Sequence, residues 1–272
     1  MSAKPVIGLP RTKTAHKLFG KSVKICMTIK KPKTRVLKSA GRNLHSDIAA
    51  NIGARICSGE FLPGSVLPNE AEWGRIHRVS RTAIREAMKV LQAKGLIYSK
   101  PKVGSRVSPR ESWNLLDRDV FAWNGAAVGR KAFLVTTQEF RRHIEPGIAE
   151  LAALKRRPDQ LHVLGEALNK MRSASHADDI VAADVAFHRE LLACANNELL
   201  NPFAILIEQT LASLFEFTTF ANTRQRQAII LHERIWRSVK DQDSTAARKA
   251  MQDLIADTDA VVGGTKPAKA KT

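Results

Sequence analysis

A dense run of start and stop signals between residues 44 and 108 leaves that stretch very few folds. Leu44, Ile48, Ile52 and Ile56 recur every fourth residue, which paints one apolar stripe along a helix that Gly59 can end in the left-handed conformation. The Pro63-Gly64 pair then marks a turn. Asn69-Glu70-Ala71-Glu72 has the spacing of a capping box, so a second helix starts there and runs to about His77. Ser80 can cap a third, in which Ile84, Ala87, Met88 and Leu91 form one face while Arg81, Arg85 and Lys89 recur at i, i+4 and i+8 on another. Gly95 closes it. Leu96 to Ser99 and Ser105 to Val107, separated by Lys100-Pro101-Lys102-Val103-Gly104, predict two short strands with a basic turn. Helix, helix, short turn, helix and hairpin, in that order, is a winged helix-turn-helix.

From Trp113 onward the strand signals vanish, and breaks near Gly129, Pro158, His176, Asn201-Pro202 and Asp243 predict about six or seven helices. The expected fold is therefore mainly α, a winged helix-turn-helix followed by an all-helical bundle. Its expected organisation is a basic, disordered extension over 1–43, a DNA-binding domain over 44–110, a connector over 111–125, a helical domain over 126–262 and a basic tail over 263–272. Trp113, Leu116, Val120, Phe121 and Trp123 give the connector enough apolar surface to pack, so it is expected to be ordered.

Charge is distributed along the same divisions. The chain carries +18 overall, which favours a polyanionic partner such as nucleic acid or an anionic membrane surface. Residues 1–46 hold twelve Lys or Arg and no Asp or Glu, whereas residues 111–265 hold slightly more acids than bases. The leader has too little apolar periodicity to fold, and its charge adds nonspecific attraction to phosphate. Met27 would serve equally as a start. Cys26, Cys57 and Cys194 are too far apart in sequence for a CxxC knuckle, which fits a reducing cytosol. No apolar run is long enough to span a bilayer, and the N-terminus lacks the apolar segment of a secretory signal, so a cytoplasmic chain is expected.

A helix that enters the major groove buries one face and presents long donors on the opposite edge, because Arg makes two hydrogen bonds to guanine and also neutralises phosphate. Arg81 and Arg85 occupy such an edge, with Lys89 one turn further on. Ser80, Thr82 and the amides of the same helix start can bind a phosphate oxygen. Alone, such a stripe merely solvates a surface helix. Context argues otherwise: the run from Ile56 to Glu70, then Val79 to Ala87, Lys94 to Ile97 and Val103 to Val107, closely resembles the DNA-binding domain of the GntR family. The resemblance covers residues 44–108. It implies that Arg81, Thr82 and Arg85 contact operator DNA and that the wing, with Lys102 and Gly104, lies along the minor groove. Ala71 stands where many relatives carry an Arg, so one usual contact is missing.

In the helical half, Asp184 and His188 lie four residues apart on one helical face, a spacing that can hold a metal ion or simply a hydrogen-bonded pair. The segment from Asp184 to Asn197, followed by Leu199-Leu200, resembles the central helix of the FCD-type ligand-sensing domain of FadR-type GntR regulators. That resemblance implies a divalent metal of zinc, nickel or manganese type, bound by Asp184, His188 and two later His residues. His232 matches the first of these, but Leu254 stands at the second. Such a site binds metal weakly, completes its shell with water and effector, or is metal-free. Asp253 does not substitute easily, since adjacent helical positions point about 100° apart. Arg141 matches an Arg that in relatives points into the effector cavity, where its fork can clamp a carboxylate; otherwise it forms a surface ion pair. His143 and His162 match nothing comparable.

The connector from Trp113 to Trp123 looks like that of the galactonate-operon repressors of this subfamily, which points to a sugar-acid effector. The expected protein is thus a homodimeric repressor on a palindromic double-stranded operator, released by a small acidic metabolite. Two other classes compete with it: a metal-dependent enzyme built on Asp184, His188 and His232, and a nonspecific architectural DNA binder. The enzyme reading lacks an HExxH or comparable base, a phosphate loop and a nucleophile motif, so no enzymatic activity is expected.

Overall fold

The computed structural model describes residues 44–217 and 222–263. The expected N-terminal extension and nearly all of the basic tail lie outside the described residues.

Helices α1 (Leu44–Cys57), α2 (Glu70–His77) and α3 (Arg81–Ala93) precede strands β1 (Ile97–Lys100) and β2 (Gly104–Val107). The capping box at Asn69 is complete: its side chain accepts from the amides of Ala71 and Glu72, while Glu72 accepts from the amide of Asn69. The Ser80 hydroxyl caps α3 by accepting from Ala83 N at 3.2 Å. The α1 stripe packs against Ile84, Ala87 and Leu91 of α3, and Trp73, Leu96 and Val107 close this first core. In the hairpin Ile97 pairs with Val107 and Lys100 with Gly104, one residue further along β1 than the sequence suggests. Gly104 has a φ of 95° with open space where a Cβ would sit, so the backbone conformation and not crowding favours glycine there.

Seven α-helices follow among the described residues: α4 (Arg118–Val128), α5 (Arg130–Lys155), α6 (Pro158–Ser173), α7 (Ala177–Cys194), α8 (Ala204–Phe217), α9 (Asn222–Lys240) and α10 (Ser244–Val262). The Asn201-Pro202 break is a short 3-10 turn, and the division between α8 and α9 was not signalled by the sequence. Leu134, Ile148, Phe187, Leu191, Ile235 and Ile255 belong to the second core, which α5 and α10 share along their length.

The connector is ordered, and its helix α4 spans the boundary expected at residue 125. Trp113 donates its indole N–H to Ser108 O at 3.1 Å, and Lys94 lies between Asp117 at 2.7 Å and Asp119 at 3.0 Å. On one side of α4, the Trp123 ring lies so close to Gly53 of α1 that an added Cβ would meet it at 2.2 Å. On the other, Phe121 and Gly125 receive the Phe133 ring of α5, with the two Phe centroids 4.9 Å apart. The connector helix is therefore packed against both halves. Gly53→Ala should cost about 1–3 kcal/mol through overpacking against Trp123, more than the helix propensity that alanine adds. Urea unfolding checks this; a more stable variant would contradict the close contact.

Candidate functional site

Two surfaces concentrate the chemistry. The first lies between α2, α3 and the wing, which enclose a groove of about 580 Å³ lined among others by Asn69, Glu70, Arg85, Lys89, Gln92 and Gly104. Arg81 and Thr82 are exposed on the first turn of α3, and the exposed Ser80 hydroxyl accepts the cap hydrogen bond with its oxygen and keeps its O–H as a donor. Arg85 and Lys89 project from the same helix, Arg85 bonded to Glu70 and Lys89 to Glu86 at 3.0 Å. Lys102, with a φ of 63°, and Gly104 form the turn of the wing. This geometry brings Arg85, Lys89 and the wing to one groove. Glu70 joins them, although the sequence marks it only as an acid at a helix start.

The second site is a row of polar side chains buried in the apolar core of the helical half. Asp184 and His188 come from α7 and His232 from α9, and one donor atom from each lies within 4.8 Å of the others. The His232 Nε2 atom is 2.9 Å from Asp184 Oδ1 and 3.3 Å from His188 Nε2. On the far side of each ring, His232 Nδ1 donates to Ala228 O at 2.7 Å and His188 Nδ1 to Glu145 at 3.0 Å. The tautomer with the proton on each Nδ1 turns the Nε2 lone pairs towards each other and towards a carboxylate oxygen, whereas a proton on His232 Nε2 makes its 2.9 Å contact a hydrogen bond to Asp184. Three acceptors converging in a buried place call for a cation, and second acceptors that orient the imidazoles are the usual support of a metal site. The donor set therefore fits a divalent metal. Leu254 is buried in the apolar core, whereas Asp253 is half-exposed and paired with Lys249, so Asp253 does not supply the missing donor.

The row continues through Glu145 to Arg141, both on α5. Arg141 makes an ion pair, but not the surface one that its sequence position allowed: it is fully buried, with Nε 2.5 Å from Glu145 Oε1 and Nη2 3.2 Å from Oε2. Its Nη1 donates to Gln138, which in turn donates to Thr258 of α10 at 2.7 Å. Burial pushes the Glu145 carboxyl up, but the Arg141 guanidinium and His188 outweigh it and hold it at about 2. Burial acts in the same direction on Asp184, and the hydrogen bond from His232 with the neighbouring positive charge brings its carboxyl below the ordinary range. His143 and His162 are exposed and stand outside the row. Glu145 and Gln138 were missed in the sequence; the i, i+4 spacing of Arg141 and Glu145 was the available signal.

Residues 44–107 match the gntR family of bacterial regulatory proteins, and residues 137–257 match the FCD domain. The chain is 30% identical over 224 residues to YieP, an uncharacterized HTH-type transcriptional regulator of Escherichia coli, covering 81% of this chain and 96% of that protein. It is 32% identical over 211 residues to the galactonate operon transcriptional repressor of the same species, covering 77% and 92%. Among solved structures, Lar, which controls expression of the Listeria monocytogenes agr system, shares the fold with a TM-score of 0.55 at 17% identity, over 83% of this chain and 99% of that one.

Truncating Arg141 takes the guanidinium from the buried Glu145 carboxylate and leaves it only the hydrogen bond from His188. Arg141→Leu is expected to destabilise the protein by about 3–5 kcal/mol, and the double replacement Arg141→Leu with Glu145→Leu to recover much of that loss. Urea unfolding followed by circular dichroism measures both single variants and the double one; a double loss equal to the sum of the two single losses would show that the pair is not coupled.

Proposed function

The chain belongs to the GntR family of bacterial regulatory proteins and carries an FCD domain, and on that premise we propose that it is a repressor of sugar-acid catabolism genes that leaves its operator when a small carboxylate binds the helical domain. That it is a transcription regulator and not an enzyme follows from its relatives. The observation that carries the effector reading is the buried polar row, because an apolar bundle gains nothing in stability from such groups. A purely architectural DNA binder leaves them without a use.

The row holds two carboxylates and one guanidinium: Arg141 pairs with Glu145, and Asp184 lies against His232. Asp184, His188 and His232 would hold a divalent metal of zinc, nickel or manganese type, which would supply a Lewis acid and turn the balance in favour of an anionic ligand. Arg141 is the second cation of the proposed effector site, orienting a carboxylate through the donors that Glu145 and Gln138 leave free. The likeness to a galactonate operon repressor supports an aldonate as the ligand.

At the other end, Ser80, Arg81, Thr82, Arg85, Lys89, Lys102 and Gly104 are the proposed DNA contacts. One recognition helix reads only a few base pairs, so genomic specificity calls for two half-sites and a two-fold dimer on a palindrome. No helix among the described residues is long and apolar enough to cross a membrane, and the working place of such a repressor is the cytoplasm, at the nucleoid.

Arg81→Ala is expected to weaken operator binding by about tenfold or more without unfolding the protein, as a gel-shift titration reads directly. Unchanged affinity would remove Arg81 from the interface. Calorimetry with a panel of aldonates, run before and after chelation on protein of measured metal content, tests the effector site. Metal is expected to copurify with the wild type and to be lost in His188→Ala, whose operator binding survives. Protein that holds no metal at any stage and gives no heat with any aldonate would contradict the site.

A further inference from the structure

The two arginines on the exposed face of α3 are in different states. Arg81 has no ion-pair partner among the described residues, whereas Arg85 is held from α2: its Nε donates to Glu70 Oε1 at 3.2 Å and its Nη2 to Glu70 Oε2 at 3.1 Å. The Arg85 and Glu70 side chains are exposed and border the groove between α3 and the wing. A guanidinium carries five N–H donors in one plane. Glu70 takes the side edge, formed by Nε and one hydrogen of Nη2. The end edge keeps one hydrogen each of Nη1 and Nη2, and these two donors are enough for guanine O6 and N7. A fork already fixed in the free protein loses less rotamer freedom when it docks. The Glu70 carboxylate also repels phosphate, which turns the Arg85 fork from the backbone towards a base edge.

We propose that Glu70 is a specificity-determining residue: it positions Arg85 for base readout, while Arg81, which has no ion-pair partner among the described residues, follows the phosphates. This rests on the DNA-binding reading of α3. Glu70 also stands in the first turn of α2, where an acid stabilises the helix dipole, so the test must separate positioning from helix stability.

Duplexes selected from a random-sequence library by the full-length protein provide that separation. The wild type defines a motif, and Arg85→Ala identifies the base pair at which preference depends on Arg85. Glu70→Gln is expected to lose preference at that same base pair by about tenfold, while its binding to unselected DNA is kept or strengthened. Glu70→Asp, which keeps an acid at the helix start but draws it back from Arg85, is expected to lose preference at that position too. A helix-stabilising role lowers affinity for every sequence alike and leaves the motif unchanged, so wild-type preferences in both variants would overturn the proposal. A wild type that selects no motif would overturn the DNA-binding reading along with it.

Discussion

The buried ion pair of Arg141 and Glu145 is the interaction on which the sensing half depends. Its carboxylate serves two partners, accepting from the guanidinium on one side and from His188 Nδ1 on the other. That second bond fixes which nitrogen of His188 is left to face Asp184 and His232. The guanidinium passes the connection on through Gln138 to Thr258, so α5, α7, α9 and α10 meet at one continuous polar row. Charges taken out of water are tolerated only when each has a partner, and here every member constrains the next.

The proposed coupling to the DNA-binding half has a physical route. Helix α5 carries Arg141 and Glu145 near its middle and Phe133 near its start, where the ring packs on Gly125 and Phe121 of α4. Trp123, on the same short helix, lies on Gly53 of α1, and Arg118 pairs with Glu208 of α8. A close-packed contact between rings and glycines transmits a displacement instead of absorbing it. A ligand needs only a few kcal/mol of differential affinity between two arrangements of these helices to shift which one prevails.

Much of this was legible in the sequence where the signal is local. The capping box at Asn69, the Ser80 cap and the helix-breaking segments at Gly129 and Asp243 declare themselves within a few residues, and the structure shows each of them. The i, i+4 pair of Asp184 and His188 was readable as a pair, but its meeting with His232, 44 residues from His188, came from family resemblance because periodicity carries no tertiary contacts. Arg141 and Glu145 illustrate the limit: i, i+4 spacing is the same for a solvated ion pair and a buried one, and only packing decides. Glu70 escaped for a similar reason, since the bond to Arg85 joins two helices across a turn and leaves no trace in either helix pattern.

The claim that the buried row controls DNA binding is tested most directly by the anisotropy of a fluorescent operator duplex bound by the full-length protein, as aldonates are titrated into the complex. The account predicts that at least one aldonate lowers operator affinity by about tenfold or more, a coupling of ordinary allosteric size. It also predicts that His188→Ala, still bound to the duplex, no longer responds. Operator affinity unchanged by every aldonate, or an equal response in His188→Ala, would contradict it.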